Sequence, residues 1–372
     1  MAPWSVVTDD NQGTRPRKRY FRYAVFSLAA VLVLSLGFAL IPAEPPPPAE
    51  PPFSEQARAA AFDEALELRT AGLALAASGL PDTAVAAPVD RIVMLLTVQA
   101  RALLLPSGEG MTVTPSAAAT AGPAPSPMSS PAALSVSEFV QLLAGSGADR
   151  LRDAETADGG MARLLAGAGT AQLLAAGELA AAAGVQAPQE LPESTPPAAD
   201  VPTSATESAR ATCDSAPPAT PADPGAGSAE PAAALAAVAL AEQEAIYGYQ
   251  AALPRLAPGQ AGPASEFLEQ HQDLAVAAEA RSREACGAPP LPEPGFVLAP
   301  DFLNAPAAGL GRLEAATLPA YGNTVALTAG PTRAWALRAL QEAARRASYW
   351  GSDPGPVPGL PLDAEQLPPL PM

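Results

Sequence analysis

The amino-acid sequence predicts an all-α protein in which a transmembrane helix near the N-terminus is followed by two four-helix bundles. The chain has 372 residues, enough for two domains, and is rich in alanine and poor in aromatic residues, a composition that favours helices. Its 45 prolines lie in clusters, and they separate segments with helical periodicity from segments without any. A charge-free apolar run directly follows a basic cluster, which is typical of a membrane anchor.

The first predicted element is the anchor, residues 24–42. It contains a run of eighteen residues without a charge, and a membrane span needs about 20 apolar residues. Because basic flanks remain on the cytoplasmic side, residues 1–23 are expected in the cytoplasm and the remainder of the chain outside it. The expected location is therefore the cell membrane, with a single pass. A cleaved signal peptide is the alternative, since residues 37–39 offer small side chains at suitable offsets.

The net charge of −17 is unevenly distributed along the chain. Residues 1–22 carry a net +3, so that the part that follows carries −20. Such an acidic surface is repelled by phosphate backbones, and no nucleic-acid partner is expected. The expected partners are the membrane, through the anchor, and a protein of the cell envelope.

The sequence has two cysteines, Cys213 and Cys286. In an exported protein an even pair is more often a disulfide than a metal or catalytic site. A Cys213–Cys286 disulfide is therefore predicted, with two unpaired thiols as the alternative.

The predicted first bundle covers residues 54–184 and follows a stiff proline-rich stalk, residues 43–53. Within it the second helix is expected to begin at Pro88, because proline suits the first turn of a helix. A Ser-x-x-Glu sequence at Ser135 predicts a capping box at the start of the third helix. Residues 106–133 lack periodicity and are predicted to form an internal loop.

Two further segments lack large apolar side chains at helical spacing. Residues 185–230 are rich in Pro, Ala, Ser, Thr, Asp and Glu and are predicted to be a disordered acidic linker, because they cannot bury enough surface to offset the entropy of ordering. Residues 352–372 form a proline-rich tail. Its run 367–371 resembles ligands of polyproline-binding grooves, although an inert tail is the main expectation.

The predicted second bundle covers residues 231–351. Its third and fourth helices follow a long proline-rich connection, residues 287–303, and one long connection is typical of ferritin-like bundles. Tyr249 and Tyr321 lie on the apolar stripes of their helices. The expected helices are about 232–253, 264–285, 304–328 and 332–350.

Several short motifs in this bundle resemble a known family. They are LAEQEAIYGY at 240–249, His271 on the second helix, Leu-Glu at 313–314 and ASYWG at 347–351. Together they are similar to an exported actinobacterial ferritin-like family of unknown function. The chain departs from that pattern at Gln243, where the family often has histidine. The resemblance implies export and a ferritin-like fold, and it implies no activity.

Three residues of the bundle could carry metal chemistry: Glu242, His271 and Glu314 each lie on the apolar face of a different helix. A di-iron centre needs two Glu-x-x-His motifs together with two further glutamates. The chain has one histidine, and Leu268 takes the place of glutamate three residues before it. A standard di-iron centre is therefore excluded.

Two interpretations of this trio remain. Two carboxylates and one imidazole can bind a single iron, manganese or zinc ion. Alternatively, the three side chains form a buried hydrogen-bonded cluster in which Arg312 or Arg345 neutralises a carboxylate.

Sequence signatures of other catalytic sites are missing. The chain has no Gly-x-Ser-x-Gly elbow, no phosphate-binding loop and no Cys-x-x-Cys, so no catalytic residue and no cofactor are predicted. We expect a non-catalytic envelope protein that works through binding or assembly. The alternative is a degenerate ferritin-like protein that uses one metal ion for binding or redox chemistry.

Overall fold

The computed structural model describes residues 15–39, 50–78, 83–104, 134–187, 230–288, 290–291 and 293–370. Within these ranges the chain forms α-helices and no strand, which confirms the all-α class. A short 3₁₀ turn follows the sixth helix. The helices are α1 (Arg15–Ala39), α2 (Phe53–Ala77), α3 (Thr83–Leu103), α4 (Val136–Thr156), α5 (Gly159–Ala183), α6 (Pro231–Ala252), α7 (Pro258–Glu284), α8 (Pro306–Leu327) and α9 (Gly330–Tyr349).

Several predicted segments fall largely or wholly outside the described residues. They are the loop 106–133, most of the stalk 43–53, most of the linker 185–230, and Cys213.

The chain divides into two compact units, Met1–Glu50 and Pro51–Met372. The first unit contains α1, whose side chains are exposed from Tyr20 to Val33 and form a short apolar helical stretch. In the second unit, α3 and α5 are apolar and long enough to span a membrane. That is weak evidence, because core helices of soluble proteins pass the same test. The transmembrane role of residues 24–42 stays a prediction.

Helices α2 to α5 pack around a core in which Phe139 and Leu143 are fully buried. The predicted capping box is confirmed: the Ser135 hydroxyl accepts from the Glu138 backbone N–H, and Glu138 accepts from the Ser135 backbone N–H at 2.9 Å. The predicted start of α3 is wrong. The helix begins at Thr83 and holds Pro88 as its sixth residue, where a missing N–H removes only one backbone hydrogen bond.

Helices α6 to α9 form the second group. The predicted start of α7 is also too late, since the helix begins at Pro258 and accommodates Pro263 as its sixth residue. Helix α8 runs through Pro319. The described residues of the long connection between α7 and α8 are irregular up to a turn before Pro306. It contributes the buried Phe302 to a small core with Tyr249, Leu310 and Trp350.

One hydrophobic cluster joins the two groups. It contains residues from each of the helices α2 to α9, for example Leu165 on α5 and Leu340 on α9. A buried arginine reinforces the junction, because Arg333 on α9 donates from Nη1 to the Ala157 carbonyl oxygen at 2.7 Å, just beyond the end of α4. The helices that the sequence assigned to two bundles thus share part of their core.

Residues 352–370, which we call the strap, pack against the helices. Val357 is 2% exposed, and the Gln99 side chain of α3 donates to the Pro356 carbonyl oxygen at 2.8 Å. The expectation of an inert tail was therefore wrong. Its contact with Gln99 joins residues 257 positions apart, beyond the range of any local pattern.

Candidate functional site

The three candidate residues converge inside the second helical group. Glu242 lies on α6, His271 on α7 and Glu314 on α8, and all three side chains are fully buried. Each occupies a position on the inner face of its helix, next to small or apolar residues. The inward placement predicted from helical periodicity is confirmed.

The imidazole of His271 lies between the two carboxylates. Its Nδ1 atom is 2.6 Å from Glu242 Oε2, and its Nε2 atom is 2.9 Å from Glu314 Oε1. Because carboxylates only accept, both ring nitrogens donate when both contacts are hydrogen bonds, and the ring is then an imidazolium. Burial by itself lowers the pKa of His271, but the carboxylate of Glu242, followed by that of Glu314, raises it above its ordinary value.

Two tyrosine hydroxyls also donate hydrogen bonds to the carboxylates. The Tyr321 hydroxyl donates to Glu242 Oε1 at 2.8 Å, and the Tyr249 hydroxyl donates to Glu314 Oε1 at 2.5 Å. The indole Nε1 of Trp350 in turn donates to the Tyr249 hydroxyl oxygen at 2.7 Å. Both tyrosines were predicted only as apolar stripe positions, yet each also supplies a hydroxyl to the polar network.

Burial and the adjacent carboxylates raise the pKa of both tyrosines, Tyr249 and Tyr321, above the ordinary value of a phenol. Both hydroxyls therefore keep their protons at neutral pH. They act as hydrogen-bond donors and carry no charge.

Arg346 on α9 supplies the second positive charge. Its Nε atom lies 3.0 Å from each carboxylate oxygen of Glu314, and the side chain is 2% exposed. Its buried Nη1 and Nη2 atoms have no hydrogen-bond acceptor within the described ranges. Burial raises the pKa of Glu314, but Arg346 and His271 outweigh it and lower that pKa to about 2. With His271 as an imidazolium, the four charges sum to zero.

The prediction that Arg312 or Arg345 neutralises a carboxylate of the cluster was wrong. Arg312 instead pairs with Asp301 at 2.7 Å, and Arg345 pairs with Glu342 at 2.9 Å, on the surface. Arg346 was not predicted, although the sequence contains a signal for its inward position. The buried face of α9 contains Ala339, Ala343 and Arg346 at helical spacing, and Trp350 continues this spacing just beyond the end of the helix.

The arrangement does not suit a single metal ion held by all three predicted ligands. The two carboxylates contact opposite nitrogens of one imidazole ring, so an ion on either nitrogen would be separated from one carboxylate by the ring itself. Among the residues that the structure describes, no group of three or more His, Cys, Asp or Glu side chains could hold a metal ion. The donor set fits a hydrogen-bonded network.

The structure describes one of the two cysteines of the predicted disulfide. Cys286, just beyond the end of α7, is disulfide-bonded. Because Cys213 lies outside the described residues, its pairing with Cys286 stays a prediction.

Comparison with known proteins finds one family. Residues 234–362 match the model of a domain of unknown function (DUF4439). The match covers most of α6, all of α7 to α9, every member of the polar network, and the first part of the strap. No curated protein and no solved structure matches the chain.

Proposed function

We propose that this chain is a non-catalytic, membrane-anchored protein of the cell envelope that works through binding or assembly. In this proposal residues 24–42 are the anchor and the helices that follow lie outside the cytoplasm. Residues 231–351 form a ferritin-like bundle, of the exported actinobacterial kind that the motifs resemble, in which a structural network takes the place of a metal centre.

The observation that carries this proposal is that every side-chain oxygen and nitrogen of Glu242, His271 and Glu314 already has a hydrogen-bond partner inside the protein. His271 has a carboxylate at both ring nitrogens, and Glu314 is paired with both His271 and Arg346. All of these side chains are at most 2% exposed. A general acid or base must reach the proton that it transfers, and no group of this network faces solvent. Its contribution is to fix how four helices pack.

Two features support the ferritin-like part. Helix α6 packs against both α7 and α8, and α8 packs against α9, as in a four-helix bundle. The connection between α7 and α8 is the long one, which is the connection that ferritin-like bundles lengthen.

The membrane location is supported by the sequence of α1. Arg15, Arg17, Lys18 and Arg19 begin the helix, and its exposed apolar stretch follows directly. A basic flank before an apolar helix favours retention of the N-terminus in the cytoplasm.

Metal analysis of the purified full-length protein tests the non-catalytic proposal. The full chain is preferable to the isolated bundle, because the two helical groups share a hydrophobic cluster. We expect no stoichiometric iron, manganese or zinc, and no rise in melting temperature when these ions are added. Glu242→Gln should change neither result.

The matched control is Glu244→Gln, two positions along α6 and only partly buried. Stoichiometric metal in the wild-type protein that is lost in Glu242→Gln but kept in Glu244→Gln would refute the proposal. It would establish the alternative, a mononuclear metal or redox protein.

A further inference from the structure

Helices α3 and α5 present side-chain hydrogen-bond donors to the strap, which lies against them. The donors are the side chains of Gln99 and Arg101 on α3 and of Arg163 on α5. Gln99 Nε2 is 2.8 Å from the Pro356 carbonyl oxygen, and Arg163 Nε is 2.8 Å from that of Gly359. Further along the strap, Arg101 donates from Nε to the Pro368 carbonyl oxygen at 3.0 Å and from Nη2 to that of Leu367.

The first of these donors is held in place. The Gln172 amide donates from Nε2 to Gln99 Oε1 at 2.8 Å, and both side chains are nearly inaccessible. This contact turns the Gln99 amide nitrogen towards the carbonyl oxygens of Pro356 and Ala168. A buried, oriented donor of this kind is costly to leave unpaired, so the strap satisfies a group that the helices have already positioned.

Two glycines make room for the backbone of the strap. A Cβ atom on Gly167 of α5 would lie 2.4 Å from Val357 Cγ1, and one on Gly322 of α8 would lie 2.3 Å from the Gly359 carbonyl oxygen. Gly359 itself has a φ of 83°, a left-handed conformation that other residues rarely adopt. The strap therefore fits a surface with no space for an additional methyl group at either glycine.

The hydrogen bonds described above are made to the main chain of the strap and to none of its side-chain functional groups. All four acceptors are backbone carbonyl oxygens. The strap has six prolines in residues 352–370 and turns closed by hydrogen bonds at 357–360 and 363–366. Each proline offers a carbonyl acceptor without an N–H donor. The strap therefore meets the side-chain donors of α3 and α5 as a hydrogen-bond acceptor.

We propose that α3 and α5 form a binding groove for proline-rich segments with turns of this kind, and that residues 354–370 of the same chain are its releasable occupant. The short tether to the end of α9 keeps the strap at a high local concentration, so it occupies the groove even with modest intrinsic affinity. The inference concerns residues 51–370 and does not depend on the membrane anchor.

The test uses the full chain with a site-specific protease sequence inserted after the exposed Asp353. The uncut protein should have the helical circular dichroism of the wild type. After the cut, a fluorescent peptide of residues 354–372 should exchange with the released strap and bind saturably, while helicity is kept. Absence of saturable binding by the cut, folded protein would overturn the proposal. Loss of helicity on cutting would also overturn it, because the strap would then be an integral part of the core.

Matched variants locate the binding. Arg163→Met removes two donors to the Gly359 carbonyl oxygen and should weaken peptide binding about ten-fold or more. Arg152→Met, at an exposed position on α4, should leave it unchanged. Equal affinities in the two variants would contradict the assigned groove.

A second pair of variants tests the shape of the groove within one helix. Gly167→Ala should displace the strap and raise the rate at which the protease cuts the engineered site. Gly177→Ala, where a Cβ meets no atom within 4 Å, should leave that rate unchanged. The same rate in both variants would show that the strap does not depend on the groove.

Discussion

The Nε atom of Arg346 lies 3.0 Å from each carboxylate oxygen of Glu314. The two residues belong to α9 and α8, and both are nearly fully buried. Because burial removes the water that would solvate a lone charge, removal of either partner leaves the other without compensation. The pair therefore joins two helices at a point where the structure tolerates little change.

The first prediction concerns this ion pair. Arg346→Met keeps the length of the side chain and removes its charge, which leaves the Glu314 carboxylate with one cationic partner fewer. We expect the free energy of unfolding, measured by urea denaturation, to fall by about 3–5 kcal/mol. The control Arg345→Met, next to it on the exposed face, should cost less than about 1 kcal/mol.

A double substitution extends this test. Glu314→Gln with Arg346→Met should cost less than the two single substitutions added together, because the second change removes a charge that the first has already stranded. Strict additivity would show that the two side chains do not stabilise the fold as a pair.

The second prediction is the pH dependence of stability. The pKa of Glu314 falls from its ordinary 4.5 to about 2 in the folded protein. Its contribution is therefore present above about pH 4.5 and is lost as the pH falls towards 2. The pKa of His271 is raised from its ordinary 6.5, so its contribution is present below about pH 6.5 and is lost as the pH rises through the folded value. Between these limits both contributions are present.

Urea denaturation across the pH range checks this prediction. Glu314→Gln should flatten the acidic side of the stability profile, and His271→Leu should flatten the alkaline side. A profile on which neither substitution acts would mean that the network does not couple protons to folding.

The third prediction concerns the membrane anchor. A reporter fused after residue 43 should be active outside the cytoplasm and remain in the membrane fraction, because residues 24–42 stop in the bilayer. A reporter fused after residue 23 should remain in the cytoplasm. A soluble mature protein that begins near Leu40 would show cleavage in place of anchoring.

The fourth prediction is the Cys213–Cys286 disulfide. Such a bond closes a loop of about 70 residues and should stabilise the protein by roughly 4 kcal/mol in the chain-entropy model. Thiol titration of protein taken from the cell envelope should find no free cysteine without reductant. Two titratable thiols would contradict the pairing.

Local patterns predicted part of this structure. The Ser135–Glu138 capping box and the inward positions of Glu242, His271 and Glu314 depend on spacing within one helix, which a sequence displays directly. The starts of α3 and α7 were predicted too late, because each helix contains a proline in its second turn. Such a proline costs one backbone hydrogen bond, and packing outweighs that loss.

Contacts between side chains of different helices could not be predicted from such patterns. Arg346 and Arg345 are neighbours with the same chemistry, and only the packing of α9 decides which of them meets Glu314. The strap has no periodicity at all, and its recognition depends on Gln99 and Arg101, which lie on a distant helix.

The strap also has a consequence for the order of folding. Its hydrogen bonds to Gln99 and Arg101 connect residues 257 and 267 positions apart. Contacts at this separation carry a large loop-closure entropy in an unfolded chain, and they form readily only after shorter-range contacts have drawn the ends together. Attachment of the strap to α3 should therefore be among the last events of folding. Arg101 and the carbonyl oxygen of Pro368 then serve as natural reporters of a completed fold.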